Sequence, residues 1–232
     1  MSSKKIFYPD SKFGDWFIRS NIWSKYVLRE AIASLRRLYI PISGKNKPVI
    51  LDAGCGYGQS FKYLVRFFNP VKILAIDVDP KTIPFAKNEA TKLSTPVEVS
   101  IGDCARLPYQ DQSIDIVFCH QTLHHLLHQE SALKEFKRTL KPDGFLVIAE
   151  STRVFINSLV IDVLFRHPSS SQKTIGEYMN LIEHAGFDTA CAKLLMPEPW
   201  WTKGSLGRLI GLSNDKQNTK PLMHMVIGLK AV

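Results

Sequence analysis

Residues 49–60, VILDAGCGYGQS, run a short apolar stretch straight into Gly54, Gly56 and Gly58. A Val/Ile/Leu run met at once by closely spaced glycines predicts a buried strand that turns sharply into a helix. Glycine adopts left-handed backbone conformations at little steric cost and lets a ligand approach the main chain. The helix expected next, GQSFKYLVRFF, would begin with N–H groups that no earlier turn can satisfy. A core that opens this way is committed to strand–helix alternation with a binding site at the first junction.

The alternation continues along the chain. VKILAID predicts a second strand, and Asp79-Pro80 an N-cap and first-turn proline ahead of KTIPFAKNEATKL, with Pro84 kinking that helix early. VEVSIGD and IDIVFCH predict a third and a fourth strand, with the loop CARLPYQDQS between them. Leu133, Phe136 and Leu140 recur at i, i+3 and i+7, so ESALKEFKRTL predicts an amphipathic helix, stopped by a KPDG turn before the strand FLVIAE. Then come the helix TIGEYMNLIEHAGF with Gly186 at its C-cap, the strand TACAKLLM and a last strand HMVIGLKAV. The expected fold is therefore α/β: a Rossmann-like, seven-stranded, mostly parallel sheet with helices on both faces and an antiparallel last strand, a three-layer sandwich. Its expected parts are an N-terminal helical lid over 1–47, a ligand-binding core over 48–150, and a completion of the sheet over 151–232 with a long insertion at 197–221. Ahead of the core, Leu28, Ala31, Ile32 and Leu35 keep helical spacing and predict a helix ending near Pro41.

Glycine spacing separates the candidate ligands. A phosphate-binding P-loop needs a Lys-Ser/Thr pair after its glycines, which GYGQSF lacks. A dinucleotide fingerprint, GxGxxG, would need glycine at position 59, where the chain has Gln59. The spacing here is GxGxG, with Asp52 two residues ahead.

LDAGCGYG resembles the first motif of the class I S-adenosylmethionine-dependent methyltransferases, and further motifs follow in that family's order. LAIDVDP is similar to the second motif, with Asp77 ending the second strand. GDCARLPYQDQSIDIVFCHQTLHHL resembles the third and fourth motifs of the small-molecule branch that includes the ubiquinone and menaquinone methyltransferases, and LKPDGFLVIAE the entry to the fifth strand. The resemblance covers residues 48–150 well and EHAGFDTACAKLL more loosely. It implies S-adenosyl-L-methionine as cofactor. Asp77 and Val78 would lie at the ribose, Asp103 and Cys104 at the adenine, and Asp52 with Gly54, Cys55, Gly56 and Gly58 at the methionine end. His120 would stand at the pocket floor.

Four histidines, His120, His124, His125 and His128, fall within nine positions. HHLLH copies the i, i+4 spacing of a HExxH zinc site, but His125 stands where that site needs Glu, and no other Cys/His ligand motif occurs, so no metal is expected. Cys55, Cys104, Cys119 and Cys191 form no CxxC pair, which also suits reduced thiols rather than a disulfide framework. Methyl transfer from a sulfonium needs alignment above all, and a base only where the acceptor must lose a proton. The resemblance puts LHHL beside the substrate, which makes His124 the candidate base, with His120 as an alternative, and leaves His125 and His128 as surface or capping residues.

The net charge of +9 is unevenly spread. Residues 1–48 hold 10 Lys/Arg against 3 Asp/Glu, residues 49–195 hold 15 against 16, and residues 196–232 hold 5 against 2. Trp16, Trp23, Trp200 and Trp201 also lie in the basic flanks. Aromatic residues interleaved with Arg and Lys suit a membrane interface, so the expected substrate is a small hydrophobic molecule, such as a quinone, phenolic or lipid-like compound, with peripheral membrane contact. The same composition also suits single-stranded nucleic acid, which keeps tRNA or RNA methylation as an alternative. Against it, the fourth-strand loop lacks an Asn/Asp-Pro-Pro-Tyr/Phe motif. A non-catalytic cofactor-binding interaction module is a second alternative. With no apolar run of roughly 18 residues and no apolar leader, the expected location is cytoplasmic or peripheral to a membrane.

Overall fold

The computed structural model describes residues 7–8, 11–29, 31–33, 47–153, 173–195 and 224–231. Helix α1 spans Lys12–Ile18, with Ser11 as N-cap accepting from the Gly14 N–H, and a π-helical turn follows at Trp23–Leu28. The core then runs β1 (Val49–Ala53), α2 (Phe61–Phe68), β2 (Lys72–Asp77), α3 (Ile83–Ala90), β3 (Val97–Ile101), β4 (Ile114–His120), α4 (Gln129–Thr139) and β5 (Leu140–Ser151). Helix α5 (Ile175–His184), β6 (Lys193–Leu195) and β7 (His224–Lys230) complete the described elements. The expected insertion at 197–221, with Trp200 and Trp201, lies outside the described residues.

The sheet order is β3-β2-β1-β4-β5-β7-β6. Strands β1 to β5 pair in parallel, and β7 runs antiparallel to both β5 and β6. The chain winds outward from β1 to β3 and then returns to place β4 on the other side of β1. A crevice therefore opens at the carboxyl ends of β1 and β4, where such sheets bind ligands.

Alternation along each central strand builds two cores. Leu51, Leu74, Ile76, Val117, Leu146 and Ile148 face one cluster with Leu133 and Phe136 of α4 and Tyr178 and Ile182 of α5. Ile50, Ile73, Ala75, Ile116, Phe118 and Val147 face a second cluster with Phe61 and Leu64 of α2 and Ala86 of α3. Strands buried on both faces read as continuous apolar runs, which is why they stand out in the sequence. Leu28, Ala31 and Ile32 join the second cluster, so the segment before β1 packs on that face of the sheet. At roughly 1.5–3 kcal/mol for a fully buried large apolar side chain, Ile32 alone ties this segment down firmly.

Several local expectations are corrected. Pro84 does not kink a helix, because α3 starts at Ile83 with Thr82 as N-cap, and a proline in the first turn has no N–H to leave unpaired. The LHHL segment is only a 3-10 turn, Leu123–His125, and His128 is the N-cap of α4, so His124 and His128 share no helix face. The expected strand over TACAKLLM is shortened to Lys193–Leu195 behind a 3-10 turn at Thr189–Cys191. KPDG is no inter-element turn but an irregularity within β5. Ile114 pairs with Leu140 and Ile116 with Phe145, so one intervening residue on β4 faces four on β5 and the excess bulges out.

Candidate active site

One cavity of about 480 Å³ opens at the carboxyl ends of the central strands. The turn after β1 forms its floor. Gly54, Gly56 and Gly58 have φ of +80°, +50° and +76°, which explains the glycine spacing. At Gly54 there is also no room for a side chain, since a Cβ would lie 2.2 Å from Thr122 Cγ2 and Oγ1. At Gly56 a Cβ would meet nothing within 4 Å, so the backbone there faces open space. The turn is tied to β2, because the Gly54 and Cys55 N–H groups donate to the Ile76 carbonyl at 2.9 and 3.0 Å.

Asp77, at the end of β2, accepts from the Gly56 N–H at 2.7 Å through Oδ2 and from the Asp79 N–H at 2.9 Å through Oδ1. It thus ties both loops together at the cavity wall, and each oxygen has a second lone pair left for a ligand hydroxyl. Burial pushes its carboxyl above the usual range, against the pull of those N–H donors. Asp52, on β1, accepts a hydrogen bond from Ser60 Oγ. Its carboxyl is pushed up to about 7, first by burial and then by the nearby Asp77, with Ser60 acting in the opposite direction.

Of the residues expected at the cofactor, Asp52, Gly54, Cys55 and Gly56 line the cavity from β1, and Asp77 and Val78 from β2. Cys104 and His120 line it as well. Gly58 and Asp103 do not. Gly58 packs instead on Phe61 and the Ala86 backbone, and Asp103 Oδ1 accepts from the Ala105 N–H at 2.9 Å, ordering its own turn. Burial raises the thiols of Cys55, Cys104 and Cys119, so none is suited to act as a thiolate.

The two middle histidines exchange places relative to expectation. His124 is 2% exposed and absent from the cavity wall, and its Nδ1 lies 2.6 Å from Glu150 Oε2. His125, expected at the surface, lines the cavity. Its Nδ1 is 2.7 Å from the Tyr8 carbonyl, while the Tyr8 N–H donates to the His125 carbonyl at 3.0 Å. A carbonyl only accepts, so Nδ1 carries the proton and the lone pair of the neutral ring sits on Nε2. The resemblance placed LHHL beside the substrate without fixing which ring reaches it: in the 3-10 turn the two rings pack together, centroids 4.2 Å apart, and His125 is the one on the cavity wall.

Glu150, fully buried at the end of β5, went unnoticed in the sequence. Besides His124 it accepts from the Thr122 N–H at 2.8 Å and the Leu123 N–H at 2.6 Å. Thr122 in turn donates from Oγ1 to the His120 carbonyl at 3.0 Å and reaches the Gly54 carbonyl at 3.3 Å. One carboxylate therefore holds the whole 122–124 turn against the glycine loop. Only the acidic residue ending an apolar strand could have signalled it.

The N-terminal segment forms the opposite wall. Trp23 lies 5.5 Å from the His120 ring, Tyr57 donates to Asp15, and the Arg19 guanidinium sits over the Tyr57 and Phe85 rings at 5.2 and 4.8 Å. Among the described residues no group of three His, Cys, Asp or Glu side chains is placed to hold a metal ion.

Residues 51–148 match a family model described as a methyltransferase domain. The chain is 33% identical over 104 residues to phosphoethanolamine N-methyltransferase 1 of Arabidopsis thaliana, which covers 45% of this chain and 21% of that one. It is 30% identical over 109 residues to a Mycobacterium ulcerans protein named as a probable phthiotriol/phenolphthiotriol dimycocerosates methyltransferase 2, covering 47% of this chain and 40% of that one. The chain therefore spans well under two thirds of the length of these relatives. A solved S-adenosylmethionine-dependent methyltransferase from Aquifex aeolicus superposes with a TM-score of 0.67 at 18% identity, over 94% of this chain and 97% of its own. At that identity the likeness is one of fold.

Proposed function

We infer that this chain, whose residues 51–148 form a class I S-adenosylmethionine-dependent methyltransferase domain, transfers a methyl group from S-adenosyl-L-methionine to a small acceptor in the cavity at the sheet's switch point. The observation that carries this reading is the convergence of the glycine turn, Asp77 and His120 on one cavity from three different strand ends.

The residues fit the cofactor. Gly56 leaves open space beside a turn tied to both carboxylates, and Asp77 offers acceptor lone pairs to a pair of vicinal hydroxyls. When bound, S-adenosylmethionine supplies a methyl group on a sulfonium, a good leaving group. Asp52, Gly54, Cys55 and Gly56 hold its methionine end, Asp77 and Val78 its ribose, and Cys104 one edge of the base. The remaining task of the protein is to align the acceptor and, where that acceptor is protonated, to take its proton. His125 is assigned that role through Nε2, since the residue lines the cavity and Tyr8 engages its other nitrogen as donor. His124 acts at one remove, by holding the turn that carries His125.

Phe7, Ile18, Trp23, Leu28, Phe118 and Leu126 give the cavity apolar walls, which supports a hydrophobic acceptor such as a quinone, phenolic or lipid-like compound. The resemblance of residues 102–126 to the quinone branch and the phthiotriol/phenolphthiotriol dimycocerosates in the mycobacterial relative's name support the same class. RNA methylation and a non-catalytic cofactor-binding role are the competing readings. Adding S-adenosylmethionine to the purified protein should raise its Tm, and Asp77→Ala should abolish the shift. Labelled-methyl uptake should then occur with phenolic or lipid extracts. Uptake into tRNA alone would overturn the small-molecule reading, and a Tm shift without uptake into any acceptor would favour the binding module.

A further inference from the structure

The segment that roofs the cavity carries an outward face of unusual composition. Among the described residues, the exposed large apolar side chains Val71, Phe85, Ile101 and Leu194 are scattered along the chain, but Phe13, Trp16, Ile22 and Tyr26 fall within fourteen positions. Trp16 is 61% exposed and Ile22 51%. Scattered exposed apolar residues need no explanation, whereas a cluster of them on one short segment does.

The exposed positions follow a helical period. On α1 they include Phe13 and Trp16, and on the next helical stretch Ile22, Lys25, Tyr26 and Arg29, while the exposed Lys12 and Arg19 also border the cavity. The second outward stripe therefore mixes apolar with cationic side chains, and the Lys25 ammonium lies 5.4 Å from the Tyr26 ring. Between residues 11 and 29 the charges are Lys12, Arg19, Lys25 and Arg29 against Asp15 alone, and Asp15 is engaged by Tyr57. The same segment turns Ile18 and Trp23 inward to the cavity wall. Its outer face thus pairs apolar side chains with positive charge, on the segment whose inner face walls the cavity.

We propose that residues 11–29 dock this protein on an anionic lipid bilayer, with Trp16 and Ile22 inserted at the headgroup level and Lys25 and Arg29 against lipid phosphates. Exposed Trp beside basic residues is the composition of interfacial segments. An RNA surface fits less well, because Ile22 has no π-face on which a base could stack. The nature of the acceptor, a molecule drawn from the bilayer into the cavity, rests on the methyl-transfer reading above, but the docking surface does not.

The test is co-sedimentation of the full chain with phosphatidylcholine vesicles and with phosphatidylcholine/phosphatidylglycerol vesicles, at low and moderate salt. We expect binding to the mixed vesicles to exceed binding to phosphatidylcholine at least about five-fold and to weaken as salt rises. Trp16→Ser/Ile22→Ser should lower it about ten-fold, and Lys25→Glu/Arg29→Glu should lower it about as much while removing the salt dependence. None of these four residues lines the cavity, so the Tm shift given by S-adenosylmethionine should be unchanged in both variants. A lost Tm shift with vesicle binding intact would count against the methyltransferase reading alone. Equal binding of wild type and variants, no binding to either vesicle, or binding to tRNA but not to vesicles would overturn the proposal.

Discussion

His124 and His125 are adjacent in sequence and have opposite surroundings, and their substitution should separate two effects. His125→Ala removes the ring on the cavity wall whose Nδ1 is held by Tyr8, so kcat should fall about 100-fold or more while S-adenosylmethionine Kd changes little. Unchanged turnover with an acceptor that must lose a proton would remove His125 from the chemistry. His124→Ala instead leaves Glu150 buried and short of one partner, so the primary loss is about 2–4 kcal/mol of stability, read as a lower Tm. At Asp52 the effect is one of pH. Burial pushes its folded carboxyl up to about 7 from an ordinary 3.8, so between those limits the native state holds a proton that the unfolded chain has released. Stability of the ligand-free protein therefore falls as pH rises through that window, and Asp52→Asn, which cannot ionise, should be spared that fall. A cationic sulfonium favours the ionised carboxylate, so S-adenosylmethionine should bind more tightly at pH 8 than at pH 6, whereas S-adenosylhomocysteine, whose sulfur is neutral, should respond less. Parallel pH profiles for the two ligands would contradict this assignment.

At the scale of single elements, the glycine turn and the 122–124 turn act as one unit. Gly54→Ala would drive a Cβ into the Thr122 side chain, which cannot swing away without breaking its Oγ1 bonds to the His120 and Gly54 carbonyls, while its backbone is held by Glu150. Gly56→Ala meets no neighbour and pays only for its left-handed backbone, about 1–2 kcal/mol. Denaturant unfolding should therefore rank Gly54→Ala as the more damaging, by a further 1–3 kcal/mol or so, while both weaken S-adenosylmethionine binding. Equal stabilities would show that Thr122 gives way. What the sequence made legible here follows from range. The glycine turn, the apolar strands and the carboxylate Asp77 are each specified within a few residues, by backbone conformation or by burial on both faces. Glu150 and the true orientation of His125 were not legible, since both depend on partners far away in the chain, at 122–124 and at Tyr8. The bulge at 141–144 was hidden for a related reason: a KPDG turn and a KPDG bulge share their local chemistry, and only the pairing with β4 decides between them.

Across the whole molecule, the N-terminal segment and the core meet over the cavity through a small set of contacts drawn from separate parts of the chain. Leu28, Ala31 and Ile32 anchor one end of the segment in the core, and the Tyr8–His125 pairing anchors the other. Between those anchors the grip is polar and aromatic: Tyr57 on Asp15, Arg19 over Tyr57 and Phe85, and Gln59 Nε2 to the Arg19 carbonyl at 3.2 Å. Tyr57 sits in the glycine turn itself, so the roof and the cofactor loop share a residue. Burial, and next to it the Asp15 carboxylate, push the Tyr57 phenol well above its ordinary range, so it remains a donor to Asp15 at any pH compatible with folding. Tyr57→Phe deletes this hydrogen bond and keeps the ring under Arg19. Amide hydrogen exchange across residues 11–23 should then quicken about five- to ten-fold, as expected for a partly exposed hydrogen bond to a charged group, while exchange in β1 and β2 stays at the wild-type rate. The acceptor KM should rise more than the cofactor Kd, because the roof closes over the acceptor side and the cofactor loop keeps its ties to Asp77 and Ile76. Faster exchange in β1 together with β2 would instead mean that Tyr57 stabilises the core as a whole, and that the roof is held by its apolar anchors alone.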